Sequence, residues 1–238
     1  MHGSRLDRVA GIGSLNEAPL HADLKEWYRR PGDRVEAPLG GFVADLLRGD
    51  ELIEIQTRSF SSMAKKLDHL LDHHRLRLVH PVGVETWIVT MRGDRQTSRR
   101  KSPRRGIAAD VCVELVSFPA LLSHPNFVLE VALVQQEEVR VATRRTRRGW
   151  TVLERRLVSV LDTVELAEPA DLLKLVPGEL PDPFGTADLA RALGRPRALA
   201  QKVAYCLRRS GAVRVEGRDR SGIRYRLPPG QLAQASMP

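Results

Sequence analysis

Two carboxylates, Asp45 and Glu54, lie in a stretch whose pattern predicts a β-hairpin, residues 41–57 (GFVADLLRGDELIEIQT). Side chains alternate between the faces of a strand, so a turn at residues 48–51 places Leu47 opposite Leu52 and Asp45 opposite Glu54. Opposed side chains have Cβ atoms about 5 Å apart, and two like charges at that distance oppose folding unless something offsets them. Because hard oxygen ligands suit Mg²⁺, the hairpin predicts a site for Mg²⁺ or Mn²⁺.

The alternative is that both carboxylates are solvated on the wet face of an antiparallel sheet. Against it, the same face carries the apolar residues Val43, Leu47 and Leu52, so it is not a typical wet face.

The elements around this hairpin follow a definite order. Apolar spacing predicts a helix over residues 17–28, a short strand over 34–37, a helix over 59–73 and a strand over 76–80. That last strand is expected to end at Pro81, and a separate strand is predicted over 86–91. With the hairpin, the order is helix, three strands, helix, strand. Asp45 then lies in the second strand, and Glu54-Ile55-Gln56 in the third.

This arrangement resembles the PD-(D/E)XK nuclease superfamily, which has the restriction-endonuclease-like fold. In that family an Asp, then a Glu or Asp, and the backbone carbonyl after the acid hold one or two Mg²⁺ ions, often with a Glu of the first helix. The resemblance implies that Asp45 and Glu54 bind the metal, that Glu17 joins them, and that Gln56 positions the attacking water. It covers roughly the first third of the chain. More broadly, the sequence resembles an uncharacterised bacterial nuclease-like family.

Two of the implied residues also fit a protein without catalysis. Glu17 begins its helix, where a carboxylate also stabilises the helix dipole. Gln56 stands where the family usually has Lys; it orients water through hydrogen bonds but cannot exchange a proton. A retained fold with weak or lost activity is therefore the alternative to catalysis. Arg58 and Lys65 are placed to reach a phosphate near Glu54, or are simply solvated.

Composition favours a polyanionic partner. The chain has 238 residues and a net charge of +9, which is typical of nucleic-acid binding, although solubility alone is an alternative. Cys112 and Cys206 are expected to be reduced core residues. No apolar run approaches the roughly 20 residues of a membrane helix. The first residues lack a signal-peptide core, so the sequence predicts a cytoplasmic protein without a membrane partner.

A strongly basic segment, residues 92–106, follows the nuclease-like core and is predicted to be a loop or extended arm. Such segments bind nucleic-acid backbones by counterion release, and the alternative is a solvated linker. The expected phosphate contacts are Arg99, Arg100, Lys101, Arg104 and Arg105. The domains are then a core over residues 15–91, an α/β extension of uncertain role over 92–176, and a third domain over 177–228.

The third domain resembles a winged helix-turn-helix. A helix over residues 187–193, a turn at Gly194, a helix over 196–210 and a hairpin over 213–227 follow a first helix at 171–176. The second main helix is then the recognition helix and the hairpin the wing. The DNA contacts that this implies are Arg197, Gln201, Lys202, Arg218 and Arg220. The alternative is a protein-interaction module, since fold does not settle function.

The sequence thus predicts a mixed α/β (α+β) protein. Its expected function is that of a metal-dependent endonuclease on double-stranded DNA. One alternative is a catalytically inactive DNA-binding regulator or repair accessory protein on the same scaffold; another is a protein-interaction module. The resemblance also leaves a homodimer open, because many nucleases of this fold pair to cut both strands.

Overall fold

The computed structural model describes residues 18–143, 146–147 and 149–228. Within them the chain is mixed α+β, as predicted, with one seven-stranded and one two-stranded sheet. The strands of the large sheet are β1 (Arg34–Leu39), β2 (Phe42–Arg48), β3 (Glu51–Ile55), β4 (Arg75–Arg92), β5 (Arg95–Lys101), β6 (Phe127–Ala142) and β7 (Trp150–Leu166). The helices are α1 (Pro19–Tyr28), α2 (Ala64–Leu71), α3 (Cys112–Leu115), α4 (Thr186–Leu193) and α5 (Arg197–Ser210). The small sheet pairs β8 (Arg214–Asp219) with β9 (Gly222–Arg226).

The large sheet has the order β1-β2-β3-β4-β6-β7, with β5 paired to the far half of β4. Strands β1, β2 and β3 form an antiparallel meander, and β4 is parallel to both β3 and β6. The predicted order of helix, three strands, helix and strand is therefore confirmed for the first part of the chain. Helix α2 makes the crossover that a parallel β3–β4 pair requires.

Each face of the sheet buries its own core. Leu20, Leu24 and Tyr28 of α1 pack with Ile53 and Ile55 on one face. On the other face, Leu52 packs with the apolar stripe of α2, residues Leu67, Leu70 and Leu71, and with the segments that precede β6 and follow β7. Neighbouring positions of β3 thus face different layers, which is the alternation that the sequence predicted.

Strand β4 corrects one prediction. Separate strands were expected before and after Pro81, over residues 76–80 and 86–91. Instead, β4 is continuous for 18 residues. Pro81 is tolerated because β3 ends at the Ile55–Val79 pair, while the first β4 residue paired with β5 is Trp87. Pro81 therefore has β6 on one side only, and its missing N–H leaves no donor unpaired on the other.

The basic segment corrects a second prediction. Residues 95–101 form β5, a strand that returns antiparallel along β4 after a turn at Gly93. An edge strand made of charged and polar side chains is one way in which proteins prevent further strand pairing. The expected boundary between residues 91 and 92 therefore falls inside the β4–β5 hairpin, and β6 and β7 extend the same sheet.

The C-terminal segment contains α4, α5 and the β8–β9 hairpin in the predicted order. The expected first helix at residues 171–176 is a 3-10 helix, Pro169–Leu175. Helix α5 is buried against α4 on one side and against α3 and Pro119–Ser123 on another. Both cysteines are buried and reduced, as expected, and the Cys206 thiol points at the Cys112 carbonyl oxygen, 3.9 Å away. No helix among the described residues is long and apolar enough to cross a membrane.

Candidate metal and nucleic-acid site

The hairpin has the predicted Leu47–Leu52 register, but its pairing ends before Asp45 and Glu54, which lie close enough for the Asp45 charge to raise the pKa of Glu54. Leu47 pairs with Leu52 and Leu46 with Ile53, and at the next position the regular pairing of β2 and β3 stops. There the Asp45 carboxylate accepts a hydrogen bond from the Ile55 N–H at 2.8 Å. The carboxylate thus bonds to the β3 backbone just where the two strands diverge.

The neighbouring edge strand β1 is distorted at the same level. Val35 and Ala37 pair with β2 on either side of Glu36, whose φ of +51° is left-handed. For a residue other than glycine this conformation costs about 1–2 kcal/mol. Glu36 accepts a charged hydrogen bond from Lys25 of α1, at 3.2 Å. A strained residue of this kind is typical of a functional site.

Helix α1 supplies a second partner for Asp45. The Nε2 atom of His21 lies 3.2 Å from the Asp45 carboxylate. Burial raises the pKa of Asp45, but hydrogen bonds and charge from His21, the Ile55 N–H and Lys66 outweigh it. The pKa therefore lies below its ordinary value, and Asp45 is charged at neutral pH.

The pKa of Glu54 is shifted in the opposite direction. Its side chain is only 4 % exposed, and burial raises its pKa to about 7 in spite of the nearby Lys66 ammonium, while the Asp45 charge adds to the increase. One oxygen, Oε2, accepts a hydrogen bond from Lys66 Nζ at 2.6 Å. The other, Oε1, is buried and has no hydrogen-bond partner among the described residues. An orphaned buried carboxylate oxygen is costly for stability and is therefore rare in folded proteins.

Lys66 is a site residue that the sequence analysis missed. It reaches from α2 to Glu54 and also donates to the Val43 carbonyl at 2.6 Å, whereas Lys65, the residue singled out from the sequence, is exposed. Helical spacing contained the signal, since Lys66 follows Met63 by three residues and precedes Leu70 by four. It therefore lies on the face of α2 that is turned to the sheet.

Gln56 directs its side chain away from the acidic pair. Its Nε2 donates to the Ser59 carbonyl at 2.8 Å and to the Ser62 hydroxyl at 3.0 Å. Its backbone is held by β4 through its N–H to the Val79 carbonyl and its carbonyl to His80 Nδ1. The side chain therefore organises the turn into α2, and the cation beside Glu54 comes from Lys66.

Two of the predicted metal-site residues, Asp45 and Glu54, remain as candidate ligands among the described residues. Glu17, expected as a third, lies outside them. Across residues 18–143, 146–147 and 149–228, no group of three or more His, Cys, Asp and Glu side chains is arranged to hold a metal. A metal at this site would therefore rely on Asp45, Glu54, backbone carbonyls and water.

A polar groove of about 590 Å³ begins where β3 ends. Thr57, Arg58 and His80 line it at that end, and Trp150 lines the part formed by β6 and β7. Asp45 and Glu54 do not line the groove. Two groove-lining residues are close in sequence to the acidic site, since Leu20 precedes His21 and Thr57 follows Glu54 by three residues.

The predicted phosphate contacts fall into two sets. On β5, Arg99 pairs with Glu137 at 2.8 Å and Lys101 with Glu85 at 2.9 Å, while Arg100 is exposed. Arg104 and Arg105 are exposed in the loop after β5. In the C-terminal segment the exposed positions are Arg197, Gln201, Arg218 and Arg220, and Lys202 is half-buried. The Arg197 guanidinium also donates to the Ser221 carbonyl at 3.0 Å, which ties α5 to the β8–β9 turn.

Comparison with known proteins locates the sheet within a family. The family model "Domain of unknown function (DUF8091)" matches residues 18–167, which extend from α1 to the end of β7. A protein of Treponema pallidum (strain Nichols), called "Uncharacterized protein", is 26% identical over 224 residues, or 92% of this chain and 89% of its own length. No solved structure matches the chain. The acidic site and the groove therefore both lie in the part that defines the family.

Proposed function

Because the chain belongs to the DUF8091 family, described as a domain of unknown function, we propose a function from its own geometry. The protein is a metal-dependent endonuclease that hydrolyses DNA phosphodiesters at Asp45 and Glu54. The observation that carries this proposal is Glu54 Oε1, a carboxylate oxygen that is buried beside a second carboxylate and has no partner among the described residues.

The residues present fit a divalent metal. Asp45 is charged at neutral pH, and Glu54 becomes charged once a cation compensates for its burial. Hard carboxylate oxygens of this kind are the ligands of Mg²⁺ and Mn²⁺. When bound, the metal would supply charge stabilisation at the phosphate and an acidified water.

The chain's own residues would prepare the phosphate site. Lys66 holds a positive charge at Glu54 and, through the Val43 carbonyl, fixes α2 against β2. His21 Nε2 and the Ile55 N–H contact the same Asp45 oxygen, Oδ2, and together they orient the carboxylate towards β3. The PD-(D/E)XK motif usually has a lysine at the position where this chain has Gln56. In this proposal Lys66 takes the role of that lysine.

The topology supports the restriction-endonuclease-like assignment. That resemblance implies an αβββαβ order with acids on the second and third strands, and this chain has that order, with Asp45 on β2 and Glu54 on β3. The C-terminal order of α4, α5 and a hairpin likewise supports a winged helix, in which α5 and the β8–β9 wing contact double-stranded DNA.

A second function is favoured by one contact. Lys66 already compensates Glu54 at 2.6 Å, so the site holds together without a metal. In that case the protein is a catalytically inactive nuclease-fold regulator or repair accessory protein, and DNA binding is its whole activity.

A cleavage assay separates the two. Supercoiled, linear and branched DNA are incubated with the full chain in Mg²⁺, Mn²⁺ or EDTA, beside the Asp45→Asn/Glu54→Gln double variant. Glu51→Gln, on the same strand, is the matched control. Cutting that needs metal and is lost only in the double variant supports the endonuclease. Binding without cutting on every substrate supports the inactive scaffold, and cutting by the double variant contradicts the site.

A further inference from the structure

The groove beside the acidic site has the charge of a phosphate-binding surface. Four arginines line it: Arg58, Arg104, Arg140 and Arg155. Arg140 and Arg155 are paired with Glu138, at 2.6 and 3.0 Å. Arg58 and Arg104 make no ion pair with any residue that the structure describes, and both are exposed. These two guanidinium groups are therefore available for an anion.

The acids of the groove are already satisfied. Asp110 accepts the Ile107 N–H at 3.0 Å, and Glu114 accepts the Phe60 N–H at 3.3 Å. Glu138 is held by the two arginines. Asp110 and Glu114 keep their charge, because a backbone N–H does not neutralise a carboxylate, and only Glu138 is neutralised. Four arginines against three carboxylates leave the groove lining with a net charge of +1.

The size and lining of the groove suit a single strand. Its volume of about 590 Å³ is that of a site for a small ligand or a few nucleotides. Trp150 also lines the groove, with the Arg140 guanidinium 3.5 Å from its ring centroid. Arginines and aromatic rings along one channel are what proteins use to bind single-stranded nucleic acid.

One wall of the groove is shared with the C-terminal segment. Ser102, Arg104 and Gly106 line the groove, and the carbonyl of Arg105 between them accepts a hydrogen bond from Arg195 at 2.6 Å. Arg195 lies in the α4–α5 turn, two residues before Arg197. A nucleic acid that leaves the groove over this loop therefore meets the start of the exposed face of α5.

The loop is fixed in place. The Ser102 N–H donates to the Thr86 carbonyl at 2.7 Å, and the Gly106 N–H donates to the Gly83 carbonyl at 3.0 Å. A Cβ atom on Gly106 would lie 2.7 Å from that Gly83 oxygen, so only glycine allows this approach. The loop thus holds the groove and α5 in one relative position.

We propose that the protein binds DNA at a junction between duplex and single strand. The unpaired strand lies in the groove on Arg58 and Arg104, and the duplex lies on α5 and the β8–β9 hairpin. The inference rests on the proposed function, because it places the acidic site next to the unpaired strand, and it makes branched or tailed DNA the substrate class.

Fluorescence anisotropy in EDTA tests binding without cleavage. The probes are a blunt duplex, a single strand, and the same duplex with a short single-stranded tail of DNA or of RNA. We expect the wild type to bind the DNA-tailed duplex about tenfold or more tighter than the blunt duplex, because the tail adds phosphate contacts in the groove.

Two double variants locate the effect. Arg58→Ala/Arg104→Ala should abolish the preference for the tail and keep blunt-duplex affinity. For the single strand, its slope of log affinity against log salt should fall in magnitude by about 1.4, at about 0.7 per phosphate contact. Arg34→Ala/Arg75→Ala removes the same charge from exposed positions elsewhere, and it should keep the preference.

Equal affinity for blunt and tailed duplexes would overturn the inference, as would a tail preference that survives Arg58→Ala/Arg104→Ala or that appears only with RNA. The outcome is separable from that of the proposed function. Asp45→Asn/Glu54→Gln should keep the tail preference in EDTA. A tail preference without any cleavage would contradict the nuclease alone, and cleavage without a tail preference would contradict the junction alone.

Discussion

Strand β3 carries two acidic clusters, on opposite faces and three residues apart, and they differ in how their carboxylates are satisfied. On the α1 face, Glu51, Glu130 and Glu165 all accept hydrogen bonds from Arg77, at 3.1, 2.6 and 2.7 Å. Tyr28 donates to the second oxygen of Glu130. On the α2 face, Glu54 is held by Lys66 through one oxygen, and the other is buried without a partner among the described residues.

The number of acids in a cluster therefore does not identify a candidate metal site. The cluster around Arg77 has more carboxylates, yet it joins α1, β3, β4, β6 and β7 as a structural network. The acidic site has fewer, but it retains unmet bonding capacity beside a break in strand pairing. The first should matter for stability at every pH, and the second for ligand binding and for the pH dependence of stability.

The largest effect on stability is expected from Arg77→Met. It leaves three carboxylates together without their cation, and breaking a partly buried ion pair costs about 3–5 kcal/mol. Urea unfolding measures the loss. Arg75→Met, at an exposed position of the same strand, should change the free energy of unfolding by less than about 0.5 kcal/mol. Equal losses in both variants would show that the Arg77 network is not structural.

Glu54 should make stability depend on pH. Its pKa is raised from an ordinary 4.5 to about 7, so the folded state holds the proton more tightly. The stabilisation is complete below about pH 4.5 and is lost as pH rises through 7, by about 3 kcal/mol in all. Unfolding at pH 5 and pH 8 should show this loss in the wild type and in Glu51→Gln. Glu54→Gln should lack it, and an unchanged loss in that variant would assign the effect elsewhere.

A smaller effect, independent of pH, is expected from Tyr28→Phe. Tyr28 is buried and its hydroxyl bonds to Glu130, while burial and that carboxylate raise its pKa well above the ordinary value. Loss of one hydrogen bond to a charged group costs about 1.5–3 kcal/mol. Because the phenol stays neutral at all working pH values, urea unfolding should show the same cost at pH 5 and pH 8. A cost confined to one pH would contradict this.

The smallest effect on stability is expected from Lys66→Met, which should instead move the titration of Glu54 upward. The Lys66 charge lowers the pKa of Glu54 against the effect of burial, so its removal leaves the neutral acid favoured over a wider range. At pH 5, where Glu54 is protonated, the variant should lose about 1 kcal/mol or less. Carbon-13 NMR of the Glu54 carboxyl measures the midpoint directly. A midpoint that falls or stays near 7 would contradict the contact.

The sequence predicted the part of the site that local geometry decides. The turn at residues 48–51 and strand alternation were enough to place Asp45 near Glu54. The contribution of Lys66 depends on how α2 docks on the sheet, so it could be inferred only from its spacing with Met63 and Leu70. Lys65, one residue earlier, is turned from Lys66 by about 100° around the helix and is exposed.

Longer-range features were predicted less well. Pro81 predicted a break in β4. Its effect depends on whether a neighbouring strand needs its N–H, and the residues around Pro81 do not reveal which strands pair with it. Residues 95–101 contain no apolar side chain, so nothing in the pattern indicated a strand, and their partner is the far half of β4. The groove likewise arises from elements far apart in sequence.

Isothermal titration of Mn²⁺ into the full chain measures whether Asp45 and Glu54 form a metal site. The wild type and Glu51→Gln should bind Mn²⁺ alike, more tightly at pH 8 than at pH 6, because Glu54 must lose its proton. Glu54→Gln should bind more than about a hundredfold more weakly, since it removes a ligand rather than an outer contact. No binding by the wild type, or equal binding by Glu54→Gln, would contradict a metal site at Asp45 and Glu54.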